Sequence, residues 1–137
     1  MLVPIAALAA STGASAGAVM RPDWAIGIWA NPAETLFIKT GPCRGDGGGD
    51  LCGSIVWASQ RAMADARDAG VSQLIGTQLL SGYRRTGPGS WNGTVYIPDI
   101  GRRFSSRLKQ TSAQALTISG CLVGGFLCKS QVWRRVR

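Results

Sequence analysis

Histidine is absent from all 137 residues. That removes His-based triads, histidine general bases and histidine metal ligands together. Carboxylates are scarce as well: Asp23, Glu34, Asp46, Asp50, Asp65, Asp68 and Asp99 are the only acids. All fall in expected loops, turns or the one expected helix, and no two share a strand face, so paired-carboxylate acid/base chemistry has no place to be built. A Ser or Cys nucleophile would lack a base. The three lysines fall on outward strand positions or beside a cysteine turn, which leaves a Ser–Lys pair without support. The sequence predicts a protein that is not an enzyme and needs no cofactor.

Charge is also lacking at the start of the chain, where residues 1–20 carry no ionisable side chain. An apolar segment over 2–10 is followed by small residues and the pattern Ala14-Ser15-Ala16, the form of a secretory signal peptide cleaved after Ala16. No Lys or Arg precedes the apolar run, so either the signal is weak or the true start lies upstream. The rival, a membrane anchor, fits a run rich in Ala, Ser and Gly poorly. The expected division is a signal peptide over 1–16 and a single domain over 17–137, placed in the periplasm or secreted.

What is abundant is glycine, with 19 residues, and positive charge, with a formal net charge of +8. The glycines imply many turns. The charge suits either a solvated basic surface or an anionic partner such as nucleic acid, phospholipid headgroups or an acidic polysaccharide. Because the basic residues are scattered, the solvated surface is favoured. A nucleic-acid-binding barrel is disfavoured by export and by the lack of aromatics alternating with basic residues on one strand. Contact with an envelope surface through the basic residues stays open.

The stretch from Trp91 to Phe104 organises the rest. It predicts a β-hairpin whose turn is Pro98-Asp99-Ile100-Gly101: proline presets one torsion, aspartate bonds the turn backbone and glycine takes positive φ. Further strands are expected over 26–29, 35–40, 51–58, 73–83, 116–122 and 126–136, with 84–90 as a turn. Residues 59–69 are alanine-rich, lack β-branched side chains and precede Gly70, which predicts a short helix with a glycine cap. In the second arm of the hairpin Phe104, Ser106 and Leu108 face one way and Arg103, Arg107 and Lys109 the other. The predicted fold is all-β: an eight-stranded antiparallel up-and-down barrel with one short helix between strands 3 and 4.

Four cysteines form two close pairs, Cys43 with Cys52 and Cys121 with Cys128, each bracketing a turn. Two local disulfides are favoured over a four-thiolate zinc site, whose short Cys-x-x-Cys spacing is missing. Between the first pair lies Arg44-Gly45-Asp46-Gly47-Gly48-Gly49-Asp50, which has too few oxygens for calcium and reads as a closed hairpin turn. Asn92-Gly93-Thr94 fits a glycosylation acceptor but falls in an expected strand. Gly27-x-Trp29 on the first strand and Arg135 on the last are expected to meet where the barrel closes, guanidinium on indole.

The series Gly27-x-Trp29, Cys52-Gly53-x-Ile55, Ile75-Gly76, Trp91-x-Gly93, Tyr96-x-Pro98-x-x-Gly101, Gly120-Cys121 and Gln131-x-Trp133-x-Arg135 resembles the bacterial domain-of-unknown-function family numbered 2147. Thr94, Ile97 and Phe104 depart from that pattern, and the last two remove polar groups. The resemblance spans 24–136 and implies a small exported protein with a lipocalin- or calycin-like barrel, without supplying a reaction. Two functions are then expected to compete. One is a binder of a small hydrophobic or amphipathic ligand, lined by Ile55, Trp57, Phe104, Ser106, Leu108, Leu116 and Ile118, with the small Gly53, Ser106 and Gly120 leaving room. The alternative is a structural or interaction module of the cell envelope whose barrel is filled.

Overall fold

A computed structural model describes residues 22–44, 48–121 and 128–137. The expected signal peptide, Asp46, Leu122 and Phe126 lie outside the described residues. A short 3-10 helix, Pro22–Ala25, leads into β1 (Gly27–Ala30), β2 (Leu36–Gly41) and β3 (Leu51–Ala58). Helix α1 (Gln60–Asp68) follows, then β4 (Gln78–Gly87), β5 (Ser90–Ile97), β6 (Arg102–Ser112), β7 (Ala115–Cys121) and β8 (Cys128–Arg135). The strands pair in sequence order, every pair antiparallel, and β8 returns to β1 to close the barrel. Closure removes the unpaired strand edges that would otherwise recruit other chains.

Local chemistry explains the turns. Gly101, at φ +64°, occupies the left-handed region at the end of the β5–β6 turn, and its N–H donates to the Pro98 carbonyl at 3.3 Å. Asn31 Oδ1 accepts from the N–H groups of Thr35 and Leu36, both at 2.9 Å, which folds β1 back onto β2. Ser59 caps α1, its hydroxyl accepting from Ala62 N at 3.1 Å, and Gly70 at φ +90° follows the helix end. Through Ala66, with Ala62 and Met63, the helix lays an apolar face on the barrel core.

The bounds of β4 differ most from the sequence reading. β4 begins at Gln78, not Gln73, because residues 73–77 make a turn in which Thr77 N donates to Leu74 O and Thr77 Oγ1 to Gln73 O. Its far end runs on through Arg84 and Arg85, where the sequence suggested a turn. In β3 the register slips between Phe37 and Ile38: Phe37 pairs with Trp57 and Ile38 with Ile55. Val56 is the extra residue of a β-bulge, and alternation resumes one step late beyond it.

Candidate functional site

The end of the barrel at the start of β1 is sealed by residues far apart in the chain. The Arg135 guanidinium lies over the Trp29 indole, its central carbon 4.4 Å from the ring centroid. Its Nε donates to Ala113 O at 2.6 Å, Nη1 to Ile26 O at 3.0 Å and Nη2 to Trp24 O. One side chain thus ties the 3-10 helix, the β6–β7 turn and the first strand together. Gly27 makes space for it: a Cβ there would lie 2.3 Å from Arg135 Nη1 and 2.7 Å from Arg137 O. Beneath the indole, Thr40 Oγ1 accepts from Trp29 Nε1 at 3.1 Å and from Gly27 N at 3.0 Å, and donates to Ala25 O at 2.5 Å. Thr40 had no distinguishing signal in the sequence; a buried threonine at a strand end reads like any other β-former.

The axis of the barrel is occupied by side chains. Ile55, Leu108 and Leu116 are buried in the core, Ile118 and Ser106 nearly so, and Phe104 packs half-buried against them. Trp57 is a correction. It is 41% exposed, because the bulge at Val56 turns both Val56 and Trp57 outward, and its ring meets Phe37 on the outside at 4.7 Å between centroids.

Two of the three small residues expected to leave room do not. A Cβ on Gly53 would lie 3.0 Å from Leu80 Cδ1 and 3.1 Å from Ile38 Cγ2. Ser106 faces Tyr83, a residue the sequence reading passed over. The Tyr83 ring lies across Gly93, the cross-strand neighbour of Ser106, so closely that a Cβ on Gly93 would come within 2.5 Å of it. Gly120, next in that row, is the looser position: a Cβ there would meet only Ser105 O at 3.4 Å.

Tyr83 is fully buried, and burial pushes its pKa up to about 12, tempered by the nearby Ser106 hydroxyl. The phenol has no hydrogen-bond partner among the described residues; Ser106 Oγ instead donates to Arg107 O at 3.5 Å. The Gln110 side chain, also buried, leaves both Nε2 and Oε1 without partners among the described residues.

Of two hollows among the described residues, neither is lined by Ile55, Trp57, Leu108, Leu116 or Ile118, whereas Phe104 and Ser106 line the larger. One, of about 80 Å³, lies beside α1 against Met63, Arg67 and Leu74. The other, about 1020 Å³ and open, spans β5–β7. Consecutive residues from each strand border it (92–94, 103–107 and 119–121). The outward Asn92, Thr94, Arg103, Ser105, Arg107 and Ser119 are among the residues that line it.

The cysteines are joined as Cys43–Cys52, with sulfurs 2.04 Å apart, and Cys121–Cys128, at 2.00 Å. That accounts for all four and leaves none for a zinc site. Among the described residues no three His, Cys, Asp or Glu side chains gather as a metal site, and no helix is long and apolar enough to cross a membrane.

Residues 27–135 match the family model described as "Uncharacterized protein conserved in bacteria (DUF2147)". No curated protein matches the chain. Among solved structures it is similar to protein HP1028 from the human pathogen Helicobacter pylori, which is described as belonging to the lipocalin family. The TM-score is 0.56, at 16% identity over 82% of each chain. At that identity the likeness speaks for the fold.

Proposed function

The chain belongs to the DUF2147 family of uncharacterized bacterial proteins, and from that premise we propose that it is an exported, non-enzymatic barrel acting as an interaction module of the cell envelope. The observation that carries this reading is the filled axis. Tyr83 lies over Gly93, and Leu80 with Ile38 lies against Gly53, so the space an interior ligand would need is taken by the protein's own side chains. Two disulfides within one small domain support an oxidising compartment, periplasmic or extracellular. The absence of histidine from the sequence supports a role without catalysis. Contact then falls to the outside of the barrel, where the basic residues stand.

A second reading keeps the small hydrophobic or amphipathic ligand. It is supported by the lipocalin-like barrel and by the looseness at Gly120, at the end of the barrel opposite the Arg135 seal. A panel of fatty-acid and small aromatic probes, followed by tryptophan fluorescence and native mass spectrometry of the purified protein, separates the two. The interaction-module reading predicts no saturable response and no co-purifying small molecule. Saturable one-to-one binding would replace it with the ligand-binding reading.

A further inference from the structure

Outward-facing residues on β5–β8 form two ordered rows across the barrel wall. Asn92, Arg107 and Ser119 are register neighbours, and so are Lys109, Thr117 and Val132. None of these four strands contains an aspartate or glutamate. Arg103, Arg107 and Lys109 therefore stand in one column on β6 with no carboxylate beside them. The Arg107 and Lys109 side chains have no hydrogen-bond or ionic partner among the described residues. Arg103 is held over the Tyr96 ring, 4.8 Å from its centroid, which fixes the charge without neutralising it.

We propose that this outer face of β5–β8 docks on an anionic phospholipid surface, with Arg103, Arg107 and Lys109 on lipid phosphates. Charge complementarity sets the sign of the partner. The dimensions favour a surface over a single ion: the column spans residues 103–109, about 20 Å of strand, so several headgroups are met at once. Asn92 and Ser119, flanking Arg107, supply neutral donors for phosphate oxygens in the open hollow between β5 and β7. Val132 is 56% exposed and two strands from Lys109, giving an apolar group level with the cations, which a headgroup layer accommodates and a hydrated acidic polysaccharide does not reward. Each cation near an anionic membrane contributes enough that three together are worth about 100-fold in partitioning.

The inference rests on the interaction-module reading and is tested with the full mature chain. Co-sedimentation is measured with vesicles of phosphatidylcholine containing phosphatidylglycerol, with pure phosphatidylcholine vesicles, and with soluble polygalacturonate as the acidic polysaccharide. Wild type should partition onto the anionic vesicles, lose that binding at 1 M salt, where screening falls to about 3 Å, and ignore the other two. The triple variant Arg103→Gln/Arg107→Gln/Lys109→Gln should lose about 100-fold. Lys39→Gln/Arg61→Gln/Arg67→Gln, which removes the same charge elsewhere, should lose less than about threefold. Arg107→Glu alone should lose about tenfold or more, a check that survives if the triple variant folds poorly. Equal losses in the two triple variants, no preference for anionic vesicles, or retention by the polysaccharide in their place would each overturn the proposal. If vesicle binding fails while the axis still refuses hydrophobic probes, the interaction-module reading stands without its lipid; probe uptake by wild type removes that reading whatever the vesicles do.

Discussion

Arg135 and Trp29 sit on the last and first strands, 106 positions apart, as direct cross-strand partners, and the guanidinium lies 4.4 Å from the centre of the indole. The contact is shielded by the 3-10 helix, whose Trp24 carbonyl accepts from the same arginine. The ladder pairs Trp29 with Arg135 and Ala30 with Arg134, and Ile28 exchanges backbone hydrogen bonds with Val136 and Arg137, so this side-chain seam reinforces a main-chain closure.

Trp29→Ala should destabilise by about 3–5 kcal/mol, as expected for a large buried aromatic, and Arg135→Ala by about 2 kcal/mol or more through its carbonyl partners. In urea unfolding the double variant should lose less than the sum, with a coupling of about 1–2 kcal/mol. Strict additivity would mean the two side chains act independently.

The glycines in one cross-strand row should respond unequally. Gly93→Ala drives a Cβ into the Tyr83 ring and main chain and should cost about 1–3 kcal/mol. Gly120→Ala has only a carbonyl at 3.4 Å to accommodate and should cost under about 1 kcal/mol. Thermal unfolding of the two variants side by side checks the order.

Tyr83 links packing to pH. The unfolded chain ionises this phenol near pH 10, while the folded protein holds the proton to about pH 12. Above pH 10 the unfolded state loses its proton first, so stability is unaffected below pH 10 and falls between pH 10 and 12, by about 2–3 kcal/mol. Subtracting the stability–pH curve of Tyr83→Phe from that of wild type isolates this step. At neutral pH Tyr83→Phe should be neutral or stabilising, because the hydroxyl it removes has no hydrogen-bond partner among the described residues.

Each disulfide closes a short loop, with sequence separations of 9 and 7. Replacing either cysteine pair by serines should cost about 2–3 kcal/mol on the chain-entropy account, read from denaturation midpoints. Peptides linking Cys43 or Cys52 to Cys121 or Cys128 in a non-reduced digest would contradict the pairing.

The strand order, the turn at Pro98–Gly101 and the helix between β3 and β4 were legible because each depends on local signals: alternation, proline and glycine placement, and an alanine-rich run free of β-branched residues. The two-sided pattern of β6 was legible for the same reason. Val56-Trp57 was not. A bulge leaves no mark in a run of β-formers, and Trp57 continues the alternation from Ile55 as well as any inward residue would. The filling of the axis was hidden differently. Gly53, Gly93 and Gly120 look alike in sequence, and whether a glycine leaves a void or seats a neighbour depends on Leu80 and Tyr83, which arrive from another strand. Gln73 to Thr77 misled because Leu74 and Ile75 favour strands, while the turn among them is fixed by hydrogen bonds that sequence does not display.

The central claim, that the protein's own side chains fill the axis, is tested most directly by saturable binding of a small aromatic such as indole to wild type and to Tyr83→Ala, measured by calorimetry. Removing the Tyr83 ring from above Gly93 opens an apolar cavity of the kind that takes such molecules. The account predicts no binding to wild type and one-to-one binding to Tyr83→Ala. Stoichiometric binding to wild type would contradict it.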